Sequence, residues 1–75
     1  MKTSEIKRIL RGAGIECDTN LYPDEPGPRF NYVAVAKGRG DEAIRLINAN
    51  GGEAMWVPAC SHVYADNIQV ERKSK

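Results

Sequence analysis

The segment Met55–Tyr64, MWVPACSHVY, holds the residue types most able to do chemistry. It contains the only Trp and the only His of the chain, and Cys60 and His62 stand two positions apart. Both could bind zinc, but a structural zinc site needs four ligands and usually shows paired spacings such as C-x2-C, which are missing. A cysteine nucleophile needs a base within reach, whereas side chains two apart on a strand diverge. The pattern therefore predicts neither a metal site nor a catalytic residue, although a small thiol-dependent or metal-dependent enzyme stays open as a rival class.

A second stretch, KGRGDE at 37–42, resembles an anion-binding turn, with flexible glycines and two cations before a helix. It lacks the full pattern of a phosphate-binding loop, and Asp41 and Glu42 would repel a phosphate at the helix start. Its RGD tripeptide matches an adhesion motif of secreted proteins, but the N-terminal KTSEIKRIL has no signal-peptide core. We interpret Asp41 as a helix-capping residue, and we expect no cofactor.

Cations gather on one face of the first predicted helix, where they could contact the phosphates of a nucleic acid. These cations, and the aromatic residues that could stack on bases, are Lys2, Lys7, Arg8, Arg11, Tyr22, Phe30 and Tyr32. The net charge is only +1, from 11 basic and 10 acidic residues, so global charge does not favour nucleic acid. A nucleic-acid-binding regulator that uses this helix face stays open as the alternative function.

The size and composition indicate one small globular domain. A chain of 75 residues buries about 60% of its unfolded surface, and 41% hydrophobic with 28% charged residues is typical of a folded protein. The longest strongly apolar run, Val33–Ala36, is far too short to span a bilayer. We therefore expect a cytoplasmic protein, and two cysteines in so small a chain favour free thiols over a disulfide.

Two segments have the apolar spacing of amphipathic helices. The first follows Thr3 as a capping residue, and Gly12 and Gly14 provide a left-handed stop. The second, DEAIRLINAN at 41–50, has acids at its start and closes at Asn50 and Gly51. The residues predicted to face the core are Ile6, Ile9, Leu10, Ala13, Ala43, Ile44 and Ile47.

Four further segments have strand character: IECDTNLY at 15–22, FNYVAVAK at 30–37, EAMWVP at 53–58 and NIQVER at 67–72. Between the first two, PDEPGPR at 23–29 should form a stiff loop. The order α-β-β-α-β-β predicts an α+β domain in which two helices cover one face of a four-stranded, mainly antiparallel sheet. We expect this domain to span residues 1–71, with a basic flexible tail at 72–75.

The chain also resembles itself at an offset of 37 residues. SEIKRILRGAGIE at 4–16 aligns with DEAIRLINANGGE at 41–53, and the second predicted strand falls on the fourth. Two amphipathic helices with glycine stops resemble each other even without duplication, so a repeat and a chance likeness are both open.

Trp56 has two opposed interpretations. Its strand alternates Met55 and Val57 against Ala54 and Trp56. If Met55 and Val57 face the helices, the indole lies on the uncovered sheet face as a contact anchor for a partner. Otherwise the indole completes the small core.

Exposed aromatic residues, a proline-stiffened loop and mixed charge favour a non-catalytic protein that docks on another macromolecule. The short first helix, the following RGAGIEC and the lack of a catalytic motif make the chain resemble small proteins of bacteriophages and mobile elements, among them anti-CRISPR inhibitors. This resemblance implies that it acts in a bacterial host cell by occupying a surface of a defence complex, without chemistry.

The expected partner is a protein or ribonucleoprotein complex, with nucleic acid as the alternative and no membrane. The residues predicted to contact it are Trp56, Tyr22, Tyr32, Lys7, Arg8, Arg11 and Arg29.

Overall fold

A computed structural model describes residues 1–19, 29–57 and 64–72 of the chain. Its elements are α1 (Thr3–Gly12), β1 (Cys17–Asp18), β2 (Phe30–Ala36), α2 (Gly40–Ala49), β3 (Ala54–Trp56) and β4 (Ala65–Glu71). The predicted order and the α+β class are confirmed. Several predictions concern residues outside the described ranges, namely those on the loop at 23–28, Tyr22, Pro58, Cys60, His62 and the tail at 73–75.

The strands form one antiparallel sheet in the order β1-β2-β4-β3, with the two seven-residue strands β2 and β4 at its centre. Their register pairs Phe30 with Glu71 and Ala36 with Ala65. The shorter β1 pairs with β2, and β3 pairs with β4. Each half of the chain thus supplies two adjacent strands, and the β2–β4 pairing joins the halves.

Both helices pack on one face of this sheet, and the hydrophobic core lies between the two layers. Alternate residues of β2 and β4 face this core because side chains of a strand point to opposite faces in turn. Its fully buried members from helices and central strands are Ile6, Leu10, Ala43, Ile47, Val33, Val35, Ile68 and Val70. The predicted inner faces of the helices are confirmed except at Ala13, which follows the end of α1 and is exposed.

The predicted side-chain caps of the helices are wrong. Thr3 is the first residue of α1, and the capping position falls on Lys2, which makes no side-chain cap hydrogen bond. Asp41 lies within the first turn of α2, and Arg39 holds the capping position, again without such a bond. Short-range sequence patterns failed here because the acceptor at the start of α2 comes from another element.

That acceptor is the carboxylate of Asp66 on β4. Its Oδ2 accepts hydrogen bonds from the backbone N–H groups of Gly38 and Gly40, each at 2.9 Å. The first N–H groups of a helix have no partner within the helix, and a carboxylate also favours the positive end of the helix dipole. Asp66 therefore fixes the α2 start to the centre of the sheet.

The offset of 37 residues is present in the three-dimensional structure. Helices α1 and α2 each have ten residues, and they begin 37 positions apart. Both are followed by a glycine with positive φ, Gly14 at 75° and Gly51 at 87°. Tyr32 and Gln69, also 37 apart, pair with each other between β2 and β4, which places a pseudo-two-fold axis at that pair.

Replacement of either of these two glycines should test the equivalence of the halves. Alanine at Gly14 or Gly51 should lower the free energy of unfolding by about 1 kcal/mol, because an L side chain disfavours the left-handed region. Urea denaturation measures the loss. Gly12→Ala is the matched control, since Gly12 is helical and has open space around it, and we expect it to be neutral or stabilising. Equal stability of the three variants would contradict the prediction.

The outer edge of β3 is bonded to a side chain of α2. The N–H of Ala54 donates to Asn48 Oδ1 at 2.7 Å, and Asn48 Nδ2 donates to the Ala54 carbonyl oxygen at 3.4 Å. The equivalent position in the first half of the chain is Arg11, which offers donors but no acceptor. The two edges of the sheet therefore differ in chemistry although the elements recur at an offset of 37 residues.

Arg72, where the tail was predicted to begin, makes two hydrogen bonds with β2 and the residue before it. Its N–H donates to the Arg29 carbonyl oxygen at 3.0 Å, and its Nε donates to Asn31 Oδ1 at 2.9 Å.

Neither α1 nor α2, the helices of the described residues, has the length and apolar character needed to cross a membrane.

Candidate functional site

The sheet face opposite the helices is not covered by any helix or strand of the described part of the chain. We call it the open face. Its apolar and amide residues are Phe30, Tyr32, Ala34, Ala36, Met55, Val57, Ala65, Asn67 and Gln69, and its charged residues are Glu16, Asp18, Arg29, Glu53 and Glu71.

A strip of large side chains crosses the middle of the open face. Tyr32, Gln69 and Met55 lie in one row over three strands, because Gln69 pairs with both of the others. The ring centroids of Phe30 and Tyr32 are 6.5 Å apart with a tilt of 59°. Met55 is 49% exposed, whereas Gln69 is only 6% exposed. The strip presents two aromatic rings and a thioether on one face of the sheet.

Carboxylates lie on both sides of this strip along the strand direction. Asp18 and Glu16 are on one side, and Glu53 and Glu71 are on the other. Within the described open face, the single cation is Arg29, whose Nη2 lies 2.8 Å from Glu71 Oε1. The open face is therefore locally acidic, although the whole chain has a net charge of +1.

Arg29 also shows how this face holds a guanidinium group. Its Cζ lies 5.1 Å from the centroid of the Phe30 ring, and its Nε donates to Glu71 Oε1 at 2.9 Å. The ring face attracts the cation while the carboxylate accepts its hydrogen bonds. An aromatic ring and a carboxylate that are paired across two strands therefore form one binding place for an arginine side chain.

Trp56 lies on the other face of the sheet. Ala54 packs against the core, so Trp56, two residues later, also faces the helices. Its indole contacts Gly40 at the start of α2, and Nε1 donates to Asp41 Oδ1 at 3.0 Å. Met55 points to the open face, so the condition that would place the indole there as an anchor is wrong. The indole is still 43% exposed, because it lies at the margin of the core.

The other residues predicted to bind a partner do not form one surface. Tyr32 and Arg29 belong to the open face, whereas Lys7, Arg8 and Arg11 belong to α1 in the helix layer. The cations of α1 and the aromatic rings of the sheet therefore do not combine into one nucleic-acid platform. Sequence reasoning missed Met55, Gln69 and the acids of the open face, although strand alternation would have indicated them once Ala54 was known to face the core.

The buried carboxylate of Asp66 has a structural environment. It is 8% exposed, and Lys37 Nζ lies 3.5 Å from its Oδ1. Burial by itself would raise the pKa of Asp66, but the N–H donors of Gly40 and Gly38 and the Lys37 ammonium outweigh it, and the pKa lies below its ordinary value. Asp66 is therefore ionised at neutral pH and acts as a helix cap.

The thiol of Cys17 is free and half-buried at the β1 edge. Burial raises its pKa, and the nearby cations Arg11 and Lys7 only partly oppose that effect. Since the thiolate is the nucleophile, a thiol with a raised pKa is poorly reactive. Among residues 1–19, 29–57 and 64–72, no group of three or more His, Cys, Asp or Glu side chains is placed to hold a metal ion.

Two shallow depressions, of about 450 and 470 Å3, lie at equivalent places in the two halves. Asn48, Gly52, Glu53 and Ala54 line one, and the residues 37 positions earlier, Arg11, Ile15, Glu16 and Cys17, line the other. Both are open to solvent, unlike the enclosed pockets that surround small ligands.

No protein-family model matches this chain, and comparisons with curated proteins and with solved structures gave no significant match. We therefore infer function from the geometry of the chain itself.

Proposed function

We propose that this protein is a non-catalytic binding protein that docks on another protein through the open face. The observation that supports this most is the strip of Phe30, Tyr32 and Met55 on a sheet face that no described element covers. Aromatic and methionine side chains are enriched at the centres of protein interfaces. Met55 is 49% exposed, so its thioether is accessible to a partner.

The polar groups of the described residues support a binding role over a chemical one. The Asp66 carboxylate is occupied as a helix cap, and the Cys17 thiol has a raised pKa. General acid or base catalysis needs a group whose pKa lies near the working pH and which can reach a substrate. Neither group has this combination.

We propose that the partner is a complex of bacterial defence and that docking blocks this complex, as the resemblance to phage-borne inhibitors implies. A small domain with apolar residues on one sheet face is suited to covering part of the surface of a larger complex. The alternative, a nucleic-acid-binding regulator, has support from Arg8 and Arg11, which are exposed on α1.

The test is recovery of the partner from cells that express the tagged protein. The double variant Tyr32→Ala/Met55→Ala should recover at least about tenfold less partner, because truncation of central interface residues costs about 2 kcal/mol or more. The matched control, Arg8→Ala/Arg45→Ala, removes exposed side chains of the helix layer and should recover as much as the unaltered protein. Thermal melts establish that each variant is folded.

Equal recovery by the open-face variant would contradict the proposal. Loss of recovery in the Arg8/Arg45 variant, with nuclease-sensitive material bound to the unaltered protein, would favour the nucleic-acid-binding alternative.

A further inference from the structure

The charge pattern of the open face indicates what kind of protein surface it fits, an inference that rests on the proposed function. Successive rows of a sheet on the same face are about 7 Å apart. The row of Tyr32, Gln69 and Met55 therefore has Asp18 about one row away on one side and Glu71 with Glu53 on the other. The apolar strip and the carboxylates lie close enough to contact one partner together.

These carboxylates disfavour two possible occupants. A nucleic acid stacked on Phe30 and Tyr32 would bring its phosphates towards Glu53 and Asp18, and like charges placed together weaken a complex. A second copy of this chain, docked face to face, would place the same acidic rows against each other. Repulsion between like charges therefore disfavours both the nucleic-acid complex and the face-to-face dimer.

The Arg29 contact shows which chemistry the face accepts. Within the chain itself, a guanidinium lies over the Phe30 ring while it donates hydrogen bonds to Glu71. Arginine is enriched at interfaces because its planar group can stack on a ring and bind a carboxylate at once. Met55, two residues after Glu53 on the same face of β3, offers further apolar support beside that carboxylate.

We propose that the open face binds a protein surface on which arginine side chains border an apolar patch. The apolar patch covers Tyr32 and Met55, and an arginine reaches the carboxylate of Glu53 in the neighbouring row. Complementary charge then speeds association and selects the partner, while the apolar strip holds the complex.

The experiment uses three short peptides of equal length in which valine alternates with arginine, with glutamine or with glutamate. Each is titrated into the full 15N-labelled chain, and amide shifts locate the contact. The arginine peptide should move the amides of Tyr32, Met55, Gln69 and Glu53 and bind at least about tenfold tighter than the glutamine peptide, with weaker binding as salt rises.

Neutralising variants test the role of the carboxylates. Glu53→Gln should reduce the affinity for the arginine peptide at least about threefold, whereas Glu5→Gln, an exposed acid on α1, should leave it unchanged. The spectrum of each variant also reports whether it is folded.

Equal affinity for the arginine and glutamine peptides, or shifts confined to α1, would overturn the inference. Tighter binding of a single-stranded oligonucleotide on the open face, or shifts there that depend only on protein concentration, would overturn it in favour of nucleic acid or a second copy. The partner-recovery experiment remains separate. If Tyr32→Ala/Met55→Ala loses the partner but the peptides bind equally, docking stands and only the charge of the partner is wrong.

Discussion

Replacement of Asp66 by alanine should lower the free energy of unfolding by about 3 kcal/mol, because it removes the buried acceptor of two backbone N–H groups. The carboxylate accepts hydrogen bonds from Gly38 and Gly40 at the start of α2 and lies near the Lys37 ammonium. Without it, the buried N–H of Gly40 has no acceptor and the helix end loses its compensating charge. Urea denaturation at neutral pH measures the loss.

Asp66→Asn separates the charge of the side chain from its shape. The pKa of Asp66 is lowered in the folded protein, so its contribution to stability is complete above the unfolded value of about 3.9 and disappears as the pH falls through the lower folded value. The unaltered protein should therefore lose stability in this acid range, and the asparagine variant should lose less. An asparagine variant with the unaltered pH profile would contradict the assignment of Asp66 as the ionised cap.

Gly40→Ala should cost about 2 kcal/mol, because the position has no room for a methyl group. A Cβ atom there would lie 2.8 Å from Cζ2 and Cζ3 of the Trp56 indole and closer still to Cη2. The indole would have to move, and its hydrogen bond to Asp41 would break. Thermal or urea denaturation measures the cost, and Gly12→Ala again serves as the control for a helical glycine.

The variant Trp56→Ala completes a double-mutant cycle with Gly40→Ala. Trp56→Ala alone should cost about 1–2 kcal/mol, since the indole is half-exposed and hydrogen-bonded. In that background Gly40→Ala should be nearly neutral, because the ring that it meets is gone, which gives a coupling free energy of about 2 kcal/mol. Additive effects of the two changes would show that the indole does not lie against Gly40.

The order of elements could be predicted because each helix and strand has its own local period. Apolar residues recur every three to four positions in α1 and α2 and every second position in β2 and β4. The glycine stops could be predicted for the same reason, since Gly14 and Gly51 act within their own helix ends. These patterns can be recognised within a single segment of the sequence, without information about the residues that pack against it.

The orientation of β3 could not be predicted because both of its faces are apolar. Met55 and Val57 form one apolar pair and Ala54 and Trp56 form another, and the second pair faces the helices. The space under α2 decides this, since the indole fits against a glycine that has no side chain. A pattern within three residues of β3 contains no information about Gly40.

The open face and the Asp66 cap of α2 also depend on contacts between residues that are far apart in the sequence. Tyr32, Gln69 and Met55 form a row only because β4 pairs with both β2 and β3 in one particular register. Asp66 reaches Gly40 through the same β2–β4 pairing, 26 residues away along the chain. Sequence patterns indicate that a residue is on a strand, but they do not give the register that makes neighbours of distant side chains.

The Asn48 side chain has a consequence for the behaviour of the protein in a crowded solution. An exposed strand edge offers unpaired N–H and C=O groups on which a strand of another molecule can add, and such addition leads to aggregation. At Ala54 the Asn48 carboxamide already bonds both groups, as a neighbouring backbone would. A foreign strand would have to displace it to extend the sheet beyond β3. At that edge, polymerisation by sheet growth is therefore opposed by a single amide.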